Sequence, residues 1–101
     1  MMEPSDMQMP EEMRRFVRSF HQDIYDKSES LEQIIDNRVA VHSMSERKAV
    51  IAYLKALLET TRDPDALMKV WLGAEPDWGC NREGYPYFFD LLVDRLSRSV
   101  P

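Results

Sequence analysis

Apolar residues in this chain recur at helical spacing in several separate blocks. Met13, Phe16, Val17 and Phe20 follow i, i+3, i+4, i+7, which gathers them on one face of a helix. Arg14, Arg15 and Arg18 take the opposite face, and Pro10, followed by Glu11 and Glu12, is read as the first helical residue. Asp23 to Ser30 is acidic and irregular. Ser30 with Gln33 then has the form of a capping box, opening a helix to about Val41 with Leu31, Ile34 and Ile35 inward. Ser43 with Glu46 is a second such box. It opens the strongest helix, where Val50, Ile51, Leu54, Leu57 and Leu58 form the stripe and Ala49, Ala52 and Ala56 invite a close neighbour. Asp63-Pro64 stops that helix near Thr61 and caps a short fourth one, with Leu67, Val70 and Trp71 inward and Gly73 as terminator. After a loop from Ala74 to Gly84, Pro86 starts a last helix on Phe88, Phe89, Leu92 and Leu96. The pattern predicts an all-α fold, a bundle of about five short helices.

Composition narrows this picture. A chain of 101 residues suits one core, so residues 1–9 are read as a flexible leader and 10–101 as a single helical domain. Ten aromatics and a 44% hydrophobic content argue against wholesale disorder. Three glycines and no Asn-Gly or Asp-Gly pair argue against β-hairpins. No run approaches the roughly 18 apolar residues of a membrane span. Met1 to Met9 is polar and acidic, unlike a secretory or mitochondrial address, and Cys80 is the lone cysteine, so a cytoplasmic location is expected.

Charge is uneven. The net value of −5 arises from −5 over residues 1–37, +3 over 38–62 and −3 over 63–101. An acidic surface repels nucleic acid and attracts basic partners.

Candidate chemistry is sparse. His21 and Asp23 are spaced for a catalytic or metal role, with His42 and Cys80 as the other possible ligands, but no ligand-pair spacing links them. The plainer reading has His21 or Asp23 ending the first helix. Cys80 has no visible base to make a thiolate. Trp78 either folds back as a lid or anchors a partner. Tyr85, Tyr87, Phe88 and Phe89 read as core before they read as a base-stacking platform, and Arg47, Lys48 and Lys55 read as a solvated face. No catalytic residue, metal or cofactor is assigned, and a binding role is expected in place of an enzymatic one.

The run Phe16-Val17-Arg18-Ser19-Phe20-His21-Gln22-Asp23 resembles the opening signature of a family of contact-dependent growth-inhibition immunity proteins, in which an aromatic-His-Gln-Asp motif follows a short helix. The helix around Leu54, Leu57 and Leu58 and the ending Gly84-Tyr85 with Phe88, Phe89 and Leu92 are similar too, so the resemblance spans about residues 13–97. The Ala74 to Gly84 loop, with Trp78 and Cys80, is not part of the family pattern. The resemblance implies a cytosolic inhibitor that binds, one to one, the toxic C-terminal domain of a large exported protein. Such toxins are often nucleases, a tRNase among them. No toxin-contact residue transfers from the family.

A nuclease presents a basic cleft to phosphates, which an acidic protein can be steered to. The expected toxin-binding residues are therefore Asp23, Asp26, Glu29, Glu32 and Asp36, with Glu75, Asp77 and Trp78 from the loop. Two other readings stand beside this one. The first is a small helical regulatory or adaptor protein unrelated to toxins. The second is a metal-assisted hydrolase using His21, Asp23 and His42.

Overall fold

The computed structural model describes residues 9–20, 30–76 and 79–100. These residues form five helices and no strand: α1 (Glu11–Arg18), α2 (Leu31–Ala40), α3 (Met44–Thr60), α4 (Pro64–Gly73) and α5 (Tyr85–Arg98). A 3-10 turn (Arg82–Gly84) leads into α5. α5 is the centre, packing against α2, α3 and α4, while α1 lies on α3.

The starts of the helices are dictated locally. Ser30 and Ser43 each accept from the backbone N–H three residues on, and Gln33 and Glu46 return the bond to the cap's own N–H at 3.0 Å. Asp63 accepts from the Ala66 N–H at 3.1 Å ahead of Pro64. Such caps satisfy donors that the first turn leaves unpaired, each worth about 1 kcal/mol. Pro10 is the N-cap of α1, not its first residue: its extended backbone presents the carbonyl that Met13 and Arg14 donate to.

Twenty hydrophobic residues make the buried core, and no polar or charged residue is buried among the described ones. Its middle is aromatic. Phe20, Trp71 and Phe88 meet edge to face, with ring centres 5.3 Å (Phe20–Trp71), 4.9 Å (Trp71–Phe88) and 6.1 Å (Phe20–Phe88) apart. Each such pair adds roughly 0.5–1.5 kcal/mol beyond burial. Phe20 lies past the end of α1 yet is fully buried, so the chain leaves that helix through the core.

Three expectations need correction. Ala52 and Ala56 are exposed and admit no neighbour, because the stripe of α3 centres on Val50, Tyr53, Leu54 and Leu57. Tyr87 is 62% exposed while Tyr85 is buried, since 85, 88, 89, 92 and 96 share the inner face of α5. Arg47 is not on a solvated face.

Arg47 projects from the first turns of α3 to the C-terminal ends of two other helices. Its Nε donates at 3.0 Å to both Val39 O and His42 O. Nη1 reaches Ser99 O at 3.3 Å and Nη2 reaches Ala40 O at 3.5 Å. One planar cation thereby satisfies carbonyls that end α2 and α5, where a positive charge is also favoured by both helix dipoles. Lys48 and Lys55 are exposed, as expected.

Because hydrogen bonds from a charged donor contribute about 1.5–3 kcal/mol each, Arg47→Ala is expected to lose about 2–4 kcal/mol. In a chain of this size that is a fall of about 10 °C or more in thermal midpoint. Arg47→Lys should recover less than half, since an ammonium cannot span both helix ends. Urea or thermal unfolding measures both, and a loss below about 0.5 kcal/mol for the alanine variant would remove Arg47 from this role.

Candidate functional site

The helix ends that precede the two acidic segments singled out in the sequence lie at neighbouring points of the fold. α1 closes when the Ser19 N–H donates to Arg15 O at 3.0 Å and its hydroxyl to Phe16 O at 2.6 Å. The helix thus ends before His21 and Asp23, which lie outside the described residues with the rest of 21–29. α4 closes at Ala74. Arg18 Nε, from the last turn of α1, donates to Ala74 O at 3.2 Å, and Phe20 packs on Trp71. The ends of α1 and α4 therefore lie side by side.

Of the expected toxin contacts, Asp23, Asp26, Glu29, Asp77 and Trp78 lie outside the described residues, and so does the choice between lid and anchor for Trp78. Glu32, Asp36 and Glu75 are described. Glu32 and Asp36 are one turn apart on α2. Asp36 is engaged by α5: Arg95 Nε donates to Oδ1 at 2.8 Å and Arg95 Nη2 to Oδ2. The Arg95 guanidinium holds the Asp36 carboxyl below the ordinary carboxylate range, with Arg98 adding to the effect. Asp36 therefore meets a partner as half of an ion pair, whereas Glu75 is exposed and has no ion pair among the described residues.

Glu75 also has an unusual backbone. It takes φ 60, the one positive value among the non-glycine residues described, while its N–H donates to Leu72 O at 3.0 Å. This is the left-handed position just past a helix end, where glycine is commonest. Gly73, the expected terminator, is still helical and has no positive φ. Beside Glu75, Leu72 is 52% exposed, off the buried 67/70/71 stripe. Sequence reasoning overlooked Leu72, although its place outside the stripe was the available signal.

The far side of the loop is fastened to the core. A Cβ at Gly79 would stand 3.0 Å from Tyr85 Oη and 4.0 Å from Trp71 Nε1, so a larger residue would require the Tyr85 hydroxyl to give by a few tenths of an ångström. Arg82 Nη2 donates to Asp65 Oδ2 at 3.1 Å, tying the 3-10 turn to α4. Cys80 is half-buried, and that burial pushes its thiol up, away from a reactive thiolate.

His42 has a different setting from the one sequence suggested. Its side chain is 10% exposed, tilted against the Phe16 ring with centres 5.5 Å apart. Nε2 is 3.5 Å from Ser19 Oγ and Nδ1 is 3.8 Å from Glu46 Oε2. The order Ser–His–Glu has the form of a catalytic relay. However, the serine proton is already donated to Phe16 O, so toward the imidazole the hydroxyl can only accept. The trio serves to join α1, α2 and α3. Among the described residues no group of three potential ligands could hold a metal ion.

No protein-family model, curated protein or solved structure matches the chain. The class it falls in is defined by the fold alone: an all-α bundle of five helices. No helix among the described residues is long and apolar enough to cross a membrane.

Two expectations follow. Left-handed backbone costs a side-chain-bearing residue about 1 kcal/mol, so Glu75→Gly should stabilise the fold by about 0.5–1 kcal/mol and Glu75→Val should destabilise it. Urea midpoints of the two variants check the sign. Secondly, burial, reinforced by Arg38 and Arg47 and opposed by Glu46, pushes the His42 pKa below its ordinary 6.5. The unfolded chain then binds the proton first, so stability falls as pH drops from about 6.5 through the lower folded value. This window lies above that of Asp36 and Glu46, carboxylates themselves held low by Arg95 and by the Ser43 cap. His42→Gln should flatten the fall in stability that begins below about pH 6.5, and an unchanged slope would assign it to other groups.

Proposed function

We propose that this protein is an immunity protein of a contact-dependent growth-inhibition system. In this reading it binds the toxic C-terminal domain of the cognate exported protein, a basic nuclease such as a tRNase, and neutralises it in the cytosol. The observation that carries the reading is that the ends of α1 and α4, which precede the two acidic stretches of the sequence, meet at the Arg18–Ala74 and Phe20–Trp71 contacts. Phe20, the aromatic of the motif that carries the family resemblance, sits in the core at that junction, and the motif's remaining residues leave from it. Glu75 and the exposed Leu72 stand beside the same junction.

A partner with a basic cleft would be drawn to such a surface by charge and held by apolar contact. Protection requires a dissociation constant of about nanomolar, roughly −12 kcal/mol, which a well-fitted interface of about 1,600 Å² can supply. Retention of glutamate at a left-handed position has a rationale here, since the carboxylate would contribute to binding what the backbone loses in stability.

The test is co-expression with the C-terminal domain encoded immediately upstream. A stable one-to-one complex and rescue of cell growth are expected. Glu32→Lys with Glu75→Lys should slow association by about tenfold at low salt and weaken its salt dependence, while Leu72→Ala should speed dissociation without lowering stability. No complex and no rescue would overturn the reading in favour of a helical adaptor unrelated to toxins.

A further inference from the structure

A cleft of about 280 Å³ lies between the C-terminal halves of α2 and α5, with Arg47 closing it from α3. Its lining includes Asp36, Val39, Arg47, Arg95, Arg98 and Ser99. Three of the nine arginines of an acidic protein thus border one small space. We propose that this cleft, which shares Asp36 with the expected toxin contacts, binds a small organic monocarboxylate.

The three guanidinium groups are not equivalent. Arg47 bonds carbonyl oxygens through all three of its nitrogens and acts as a wall. Arg95 uses Nε and Nη2 on Asp36, which leaves Nη1 unbonded. Arg98 uses only Nε, donating to Asp94 Oδ2 at 3.0 Å in an exposed pair on the same helix. Neither Nη group of Arg98 has a hydrogen bond among the described residues. A planar fork with two parallel N–H donors matches a carboxylate, and Arg95 and Arg98 both line the cleft.

Charge and shape select the class. Asp36, Asp94 and the carbonyl ends of two helices already offset much of the arginine charge, which disfavours a dianion such as phosphate. Val39 and Ala40 provide an apolar wall for an organic body. The volume sits at the small end of ligand pockets, which run from about 300 Å³ upward.

The test titrates the full chain, ¹⁵N-labelled, with benzoate, its neutral isostere benzamide, and inorganic phosphate at fixed ionic strength. The reporters are the Ala40 and Ser99 amides and the Arg98 Nε–H. Benzoate should give saturable shifts with a dissociation constant of about millimolar or lower, and benzamide should give none. Arg98→Gln should weaken benzoate by about tenfold or more with an unchanged thermal midpoint, because Arg98 is exposed. Asp94→Asn should tighten it by about threefold by removing the competing internal carboxylate. Equal binding of benzamide, tighter binding of phosphate, indifference to Arg98→Gln, or no saturation by about 50 mM would each overturn the proposal.

Discussion

The bundle depends on arginines placed at the carbonyl ends of helices other than their own. Every α-helix leaves its last four carbonyls without partners, and in a bundle of short helices these ends crowd together. Here Arg18 of α1 meets the end of α4, Arg38 of α2 meets Ser19 O at the end of α1 at 3.4 Å, and Arg47 of α3 meets the ends of both α2 and α5. Followed as links, these three side chains join all five helices. The apolar core supplies most of the driving force, but burial is non-directional. Guanidinium-to-carbonyl bonds are directional, so they set which helix ends meet.

That use of arginine shapes the surface. Of nine arginines, Arg18, Arg38 and Arg47 bond backbone carbonyls, while Arg15, Arg62, Arg82, Arg95 and Arg98 pair with carboxylates. Eight of the nine arginines are therefore engaged by carbonyls or carboxylates. Glu75 stands exposed without such a partner, so the formal charge of −5 is expressed outward. The capping scheme and the acidic character have one origin.

What was legible in the sequence followed local rules. Ser30 with Gln33, Ser43 with Glu46 and Asp63 with Pro64 act within one turn, so their spacing announces them. The stripe Met13, Phe16, Val17 is equally local. Arg47 was illegible because its carbonyl partners lie five to fifty-two residues away and carry no side-chain signature. Asp36 looked like an open acid for the same reason, its arginine being fifty-nine residues downstream. Ala52 and Ala56 were misplaced because periodicity gives a helix face but not which of two adjacent stripes is its centre. At the candidate surface, the acids were visible one by one. The adjacency of the helix ends that precede them was not, since it rests on Arg18 and Ala74.

A frame of this kind separates what holds the fold from what can recognise a partner. The core is wholly hydrophobic among the described residues, and the helix ends are closed by polar side chains outside that core. Leu72 and Glu75 belong to neither set: both are exposed, and no core side chain or capping bond of another helix relies on them. Substitution there changes charge and shape at the surface while the aromatic centre and the arginine links stay intact. Recognition that must stay specific to one partner is best built from such positions, because specificity is a difference between affinities and can be retuned without loss of stability. Glu75 adds rigidity to this freedom, since a residue held in the left-handed region at a helix end has few other conformations to lose on binding.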